Sequence, residues 1–245
     1  MNSGYYAACT GLVSRAEALD TIANNLANSS TTGFRAHHNV FSSVLAATNQ
    51  DSLSLLNQDV NDYGILSGTR MDGTQGTFSK TGNDLDVAIE GPGYFAVQTS
   101  AGVKYTRSGN FRISPNGQLT TAAGDMVLGD NGPITLVGMP ITIGANGTIS
   151  VDGAVAGHLS VVEFDAATAL KNDGGMYTTA PAGTAKVATS SSVRQGMLEN
   201  SNTNPMTSVV ELIAAQREVE TMRRVLTVFN SEMDKTASQD IPRVS

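Results

Sequence analysis

Residues 5–33, YYAACTGLVSRAEALDTIANNLANSSTTG, set Tyr5, Cys9, Leu12, Ala16, Leu19, Ala23 and Leu26 at successive steps of 4, 3, 4, 3, 4 and 3. Toward the other end, residues 212–233, LIAAQREVETMRRVLTVFNSEM, repeat the pattern. Leu212, Ala215, Val219, Met222, Leu226, Phe229 and Met233 follow one another at 3, 4, 3, 4, 3 and 4. Both are heptad-like seams with about 3.5 residues per repeat, the spacing at which helices pair with a left-handed twist. A lone helix of about three heptads is not held by propensity alone, so each seam needs the other, or neighbours. Small residues at Cys9, Ala16 and Ala23 admit a close partner. Ile213, Val225 and Val228 widen the second stripe beyond a two-partner seam, which points to more than one partner helix.

Local signals bound the two helices. Asn28, followed by Ser29-Ser30-Thr31-Thr32-Gly33, ends the first, and Gly4 predicts a late start or early fraying. Asn204-Pro205 breaks the chain ahead of the second, and Ser208-Val209-Val210-Glu211 reads as a capping box opening it. A tail, Asp240-Ile241-Pro242-Arg243-Val244-Ser245, is expected after its end.

The middle of the chain has a different period. Asp72-Gly73, Asn116-Gly117, Asn131-Gly132, Asn146-Gly147, Asp152-Gly153 and Asp173-Gly174 are strong turn signals, because Asn, Asp and Gly tolerate positive φ. Short alternating runs lie between them. Leu85, Val87 and Ile89 share one face, with Asp84, Asp86 and Glu90 on the opposite, solvated one. Ile141 and Ile143 pair with Ile149 and Val151 across Asn146-Gly147, and Leu159 to Phe164 is a further strand. The fold class is therefore mixed α and β: paired, coiled-coil-like N- and C-terminal helices joined to a central all-β domain. The division is residues 1–33 for the first helix, 34–70 a connector, 71–190 the β-domain, 191–205 a return connector and 206–245 the second helix and tail.

Composition narrows the function. The 245 residues are ample for a genuine core, yet only 15% are charged, against roughly a quarter in ordinary domains. Neutral surfaces of that kind suit close contact between subunits. The net charge of −7 argues against binding phosphate backbones, and no run of about 18 apolar residues is present to span a membrane. Met1-Asn2-Ser3-Gly4 carries no basic stretch, so a cleaved secretory signal is not expected. The single cysteine, Cys9, makes no internal disulfide and reads as an inert thiol in an apolar seam.

No catalytic, cofactor or metal site follows from the residues. His37-His38 point apart and lack further ligands at suitable spacing, so solvated loop histidines are the better account, as for His158. Gly91-Pro92-Gly93-Tyr94-Phe95-Ala96 matches a dinucleotide fingerprint only superficially. That fingerprint requires a following helix, and Tyr94-Phe95-Ala96-Val97 reads as strand. Neither a nucleophile elbow nor a phosphate-binding loop appears. The chain reads as a non-enzyme.

Four ordered motifs resemble the flagellar rod and hook protein family. Ala23-Asn24-Asn25-Leu26-Ala27-Asn28, continuing through Thr32-Gly33-Phe34-Arg35, is similar to its N-terminal signature, with Asn24, Asn25, Asn28, Gly33 and Phe34 as motif residues. The stretch from Gly82 to Phe95 resembles the start of the family's central β-region. Tyr105-Thr106-Arg107-Ser108-Gly109-Asn110-Phe111 and Asn116-Gly117-Gln118-Leu119 follow in order. Gln195-Gly196-Met197-Leu198-Glu199-Asn200-Ser201-Asn202, with Glu211-Leu212-Ile213 and Gln216-Arg217, resembles the C-terminal motif.

The resemblance implies a structural subunit of the basal-body rod, a drive shaft spanning the periplasm, whose copies stack helically with the terminal helices inside and the β-domain outside. The implied partners are copies of itself, other rod subunits, the surrounding rings and the flagellum's type III export apparatus. The region from Gly129 to Ile134 and the compact stretch after it look more like the proximal rod subunit than the distal one. The alternative of another class is a β-rich periplasmic binding or adhesion module that dimerises through helical ends.

The fourteen seam residues are accordingly the expected assembly interface. Unassembled, the seams bury too little area to offset ordering, so folding of the ends is expected to couple to assembly. Seven apolar side chains at roughly 1.5 kcal/mol or more for each large one contribute on the order of 10 kcal/mol before entropy. The asparagines of the first motif are expected to act through backbone and helix-end hydrogen bonds, and Gly33 through a turn.

Overall fold

The computed structural model describes residues 2–42, 65–165, 168 and 170–240. The chain divides into two compact units: residues 1–26, 37–70 and 205–245 in one, residues 27–36 and 71–204 in the other.

The first unit holds both helices, α1 (Asn2–Ala27) and α2 (Pro205–Asp240), and a two-stranded sheet of β1 (His37–Ser42) and β2 (Ile65–Met71). Helix α1 includes Gly4, so the expected late start does not occur. An interior glycine costs only about 1 kcal/mol against alanine, which a long helix absorbs. Helix α2 opens ahead of the expected capping box. Pro205 is its first residue, where a fixed φ and a missing N–H suit the first turn, and Asn204 occupies the cap position. Ser208 lies inside that first turn and is buried. The histidine pair is not in a loop: His37 begins β1, half-buried, and His38 is exposed beside it. The expected tail lies outside the described residues beyond Asp240, as does most of the expected connector.

In the second unit a ten-stranded sheet has at its centre a hairpin of β5 (Tyr94–Thr99) and β6 (Gly102–Thr106), with Phe95 opposite Thr106 and Thr99 opposite Gly102. Outward from β5 runs β9 (Met126–Gly129), then β8 (Leu119–Thr120) and β7 (Arg112–Ile113). Tyr94 opens a strand, so the glycines before it serve a turn, with Gly91 at φ +114°. Beside this sheet stands a three-stranded one. Its β11 (Ile141–Ile143) and β12 (Thr148–Val151) pair in the expected register, Ile141 with Val151 and Ile143 with Ile149. The core between them is aliphatic, with Phe95 and Phe111 packed edge to face, centroids 5.1 Å apart.

Two expectations change here. The face opposite Leu85, Val87 and Ile89 is solvated only at its ends, where Asp84 and Glu90 are exposed. In β4 (Val87–Glu90) Ala88 is fully buried, and Asp86 just before it is buried and accepts from Asn83 Nδ2 at 3.1 Å. A strand covered on both sides loses the alternation by which one-sided strands are read. The expected return connector, 191–205, carries β18 (Ser192–Gln195) and β19 (Met197–Glu199). They pair antiparallel with β4 and with β3 (Phe78–Lys80), so the C-terminal flank is woven into the β unit.

Candidate functional site

The two helices bring the expected seams to their surfaces. On α2, Leu212, Ala215, Met222 and Leu226 are half-buried and Val219 is buried, while Phe229 remains 46% exposed. On α1, Cys9, Leu12, Leu19, Ala23 and Leu26 are half-buried, Ala16 is exposed, and Ala8 and Ser14 are buried beside the seam. The side chains of Tyr5 and Met233 lie outside the described residues. Arg15 of α1 and Glu218 of α2 form an ion pair at 3.0 Å. A second apolar stripe on α2 is open to solvent: Met206, Val210 and Ile213, then Val225 and Val228, all at least 40% exposed. The first three and the last two recur at helical spacing, with Arg217, Thr221 and Arg224 between them, and each group is an exposed apolar patch of the kind that marks an interaction surface.

Asn25 performs the expected backbone role. Its Nδ2 donates to the His37 carbonyl at 2.8 Å and its Oδ1 accepts from the His37 amide at 2.9 Å. One amide side chain thus stands in for a strand partner at the head of β1. Asn28 caps the turn after α1, accepting from the Thr31 amide at 3.0 Å. Gly33 has φ +70°, the left-handed region that glycine enters without steric cost.

Past Gly33 the β unit holds a charged cluster with no expected role in the sequence reading. Phe34 is buried, and Arg35, Arg107 and Glu199 are each at least 96% buried. Glu199 meets Arg35 Nη2 at 2.8 Å and Arg107 Nη1 at 3.2 Å, and its Oε1 also accepts from the Gly76 amide at 3.0 Å. One carboxylate faces two guanidinium groups. Carbonyl oxygens share the excess positive charge: Gly73 accepts from Arg35 at 3.1 Å and Gly91 from Arg107 at 2.6 Å. Arg107 also stacks over the Tyr94 ring, 4.9 Å from its centroid. Burial, and next the charge of Arg107, hold the Arg35 guanidinium below its ordinary pKa, against the pull of Glu199.

Backbone bonds run through the same place. The Gly33 amide donates to the Glu199 carbonyl and the Asp72 amide to the Ala36 carbonyl, each at 2.8 Å. The Ala36 amide donates to Asn202 Oδ1 at 2.7 Å. The chain therefore enters and leaves the β unit along one seam, between residues 33–36 and 199–202. Arg35, Arg107, Glu199 and Asn202 stand in three of the quoted motifs, and what could have singled out the first three is an isolated charge inside an otherwise neutral stretch.

Known families match three stretches of the chain. The family described as "Flagella basal body rod protein" matches residues 6–35, "Flagellar hook protein FlgE/F/G D1 domain" matches 88–156, and "Flagellar basal body rod FlgEFG protein C-terminal" matches 194–239. The flagellar basal-body rod protein FlgF of Caulobacter vibrioides is 31% identical over 251 aligned positions, covering 100% of both chains. The chain belongs to the flagellar basal-body rod family. FlgF of Mesorhizobium japonicum is 32% identical over 96% of each chain. FlgG of Agrobacterium fabrum is 31% identical over 96% of this chain and 97% of its own. The family is structural, and this rod-family member is not an enzyme. Among the described residues no helix is long and apolar enough to cross a membrane.

Proposed function

We propose that the chain is a structural subunit of the flagellar basal-body rod, that it assembles helically through α1 and α2, and that it is the proximal, FlgF-type subunit. The observation that carries this reading is the alignment with FlgF of Caulobacter vibrioides from end to end, at 31% identity. The exposed apolar stripe of α2 supports assembly through the helices, because burying it against neighbouring copies removes a cost that a free chain pays to water. In the rod the two seams pair as a coiled coil, and the β unit faces outward, toward the rings. The chain reaches the periplasm through the flagellar export apparatus. FlgG of Agrobacterium fabrum, 31% identical over 96% of this chain, favours a second reading as the distal subunit.

One image decides between them. Purified basal bodies from cells expressing a labelled copy are expected to carry the label at the membrane-proximal end of the shaft. Label near the outer ring assigns the distal position. A purified chain of fixed dimeric mass on dilution, absent from basal bodies, would overturn the rod reading in favour of a dimerising binding module.

A further inference from the structure

We propose that Glu199 is a register pin: with Arg35 and Arg107 it fixes, within the β unit, the register between the segment 33–36 and the segment 199–202. This rests on the rod reading for its use, but the pin itself belongs to the chain.

Three observations carry it. Glu199 is 99% buried and binds by both backbone and side chain. Its carbonyl holds Gly33 of the incoming segment, and its carboxylate holds Arg35 of the same segment, Gly76 of the segment after β2, and Arg107 just past the end of β6. The covalent crossings between the two units, after residues 26, 36, 70 and 204, flank this cluster in sequence. The neighbouring bonds from the Asp72 amide to the Ala36 carbonyl and from the Ala36 amide to Asn202 Oδ1 close the same seam.

The chemistry points to position rather than stability. Buried ion triads contribute little net stability, because desolvation offsets the Coulomb gain, and well-packed apolar replacements of similar volume are often as stable or more so. What an apolar cluster lacks is direction. One nitrogen from each of two guanidinium groups and the Gly76 amide meet one carboxylate, the other terminal nitrogens are held by the Gly73 and Gly91 carbonyls, and the backbone carbonyl of Glu199 takes the Gly33 amide, so the groups admit a single arrangement. For a subunit that must match its neighbours, a fixed register there counts for more than extra stability.

The test separates the two roles in the full chain. Glu199→Gln removes the one carboxylate that both buried arginines touch and is expected to lower the thermal midpoint sharply. The triple variant Arg35→Met/Arg107→Leu/Glu199→Leu is expected to regain the wild-type midpoint yet fail to restore hook formation and swimming in cells lacking the native copy. Restoration of both overturns the proposal. Glu199→Asp covers the case in which the triple variant does not fold. It keeps the charge but is one methylene short, so it is expected to stay folded while amide exchange at Gly33 and Gly76 speeds up at least tenfold. Unchanged exchange at both amides overturns the pin. If wild-type chain does not restore hooks, the rod reading fails, and the exchange measurement still decides the pin.

Discussion

Gly33 donates its amide hydrogen to the carbonyl of Glu199 across 2.8 Å, so the end of the N-terminal motif and the end of the C-terminal motif are bonded partners inside the β unit. Gly33 can sit there only as glycine. Its φ is +70°, and a Cβ would lie 2.4 Å from the carbonyl carbon of Arg107 and 2.5 Å from the amide of Ser108.

Gly33→Ala therefore combines a left-handed backbone penalty of about 1–2 kcal/mol with a clash against backbone that cannot yield. The expected loss is about 3 kcal/mol or more, at the severe end for single substitutions. Gly183→Ala is the matched comparison, with φ +78° and nothing within 4 Å of its Cβ. It is expected to cost only about 1–2 kcal/mol, the backbone penalty alone. Equal losses in chemical denaturation would show that the contact with Arg107 does not matter.

Asn25 is predicted to be worth more than its asparagine neighbours, because its amide pairs with both backbone groups of His37. Asn25→Ala removes both bonds and is expected to destabilise the helix–strand contact by about 1–3 kcal/mol. Amide exchange read along β1 checks it, and protection unchanged from wild type would contradict the assignment.

How much of this was readable beforehand depended on the range of the signal. Period carried the helices, and Asn146-Gly147 carried the hairpin register of Ile141 with Val151, because both are local rules. The capping box misled, since Ser208 and Glu211 satisfy its spacing while Pro205 already fits the first turn. The seam around Glu199 was not readable. Its partners Arg35, Gly76 and Arg107 are far apart in sequence, and no local rule pairs a carboxylate with arginines brought to it by separate loop segments. The burial of Ala88 and Asp86 was hidden for the same reason, because it depends on which elements cover β4.

Glu163 gives the β unit an acid-side dependence. Burial raises its pKa, but hydrogen bonds from Ser191 Oγ at 2.7 Å and from the Ser190 hydroxyl and amide at 3.0 Å outweigh that and hold it below the ordinary value. A group with a depressed folded pKa contributes stability above its unfolded pKa and loses it as pH falls through the folded value. Ser191→Ala is expected to lower stability at neutral pH, and the difference from wild type is expected to shrink as pH falls through the folded pKa of Glu163. A difference that stays constant into acid would exclude Glu163 as its source.

Tyr177 acts at the other extreme. Burial first, then its hydrogen bond to Asp125 Oδ2 at 2.5 Å, push the phenol up to about 12. With a raised folded pKa, the contribution is complete below the unfolded value of about 10 and is lost as pH climbs from there toward the folded value. The stability difference between wild type and Tyr177→Phe is therefore expected to be constant to about pH 10 and to shrink above it. A difference that stays flat through that window would show that the phenol titrates normally.

The seam and the ion pair beside it make opposite predictions. Arg15 and Glu218 meet at 3.0 Å, but their side chains are 49% and 54% exposed, and pairs so open to water are worth about 0–1 kcal/mol. Arg15→Ala is therefore expected to leave swimming and hook number near wild type. Leu19→Asp with Leu26→Asp should abolish incorporation, because a carboxylate cannot be covered by a neighbouring apolar helix without losing its water. The β unit buries its own aliphatic core and contains neither residue, so its strand signal in circular dichroism should persist in the same variant. Hooks formed at normal number by the double variant would mean that the apolar face is not what neighbouring copies grip. Loss of hooks in Arg15→Ala would instead place recognition in the charges.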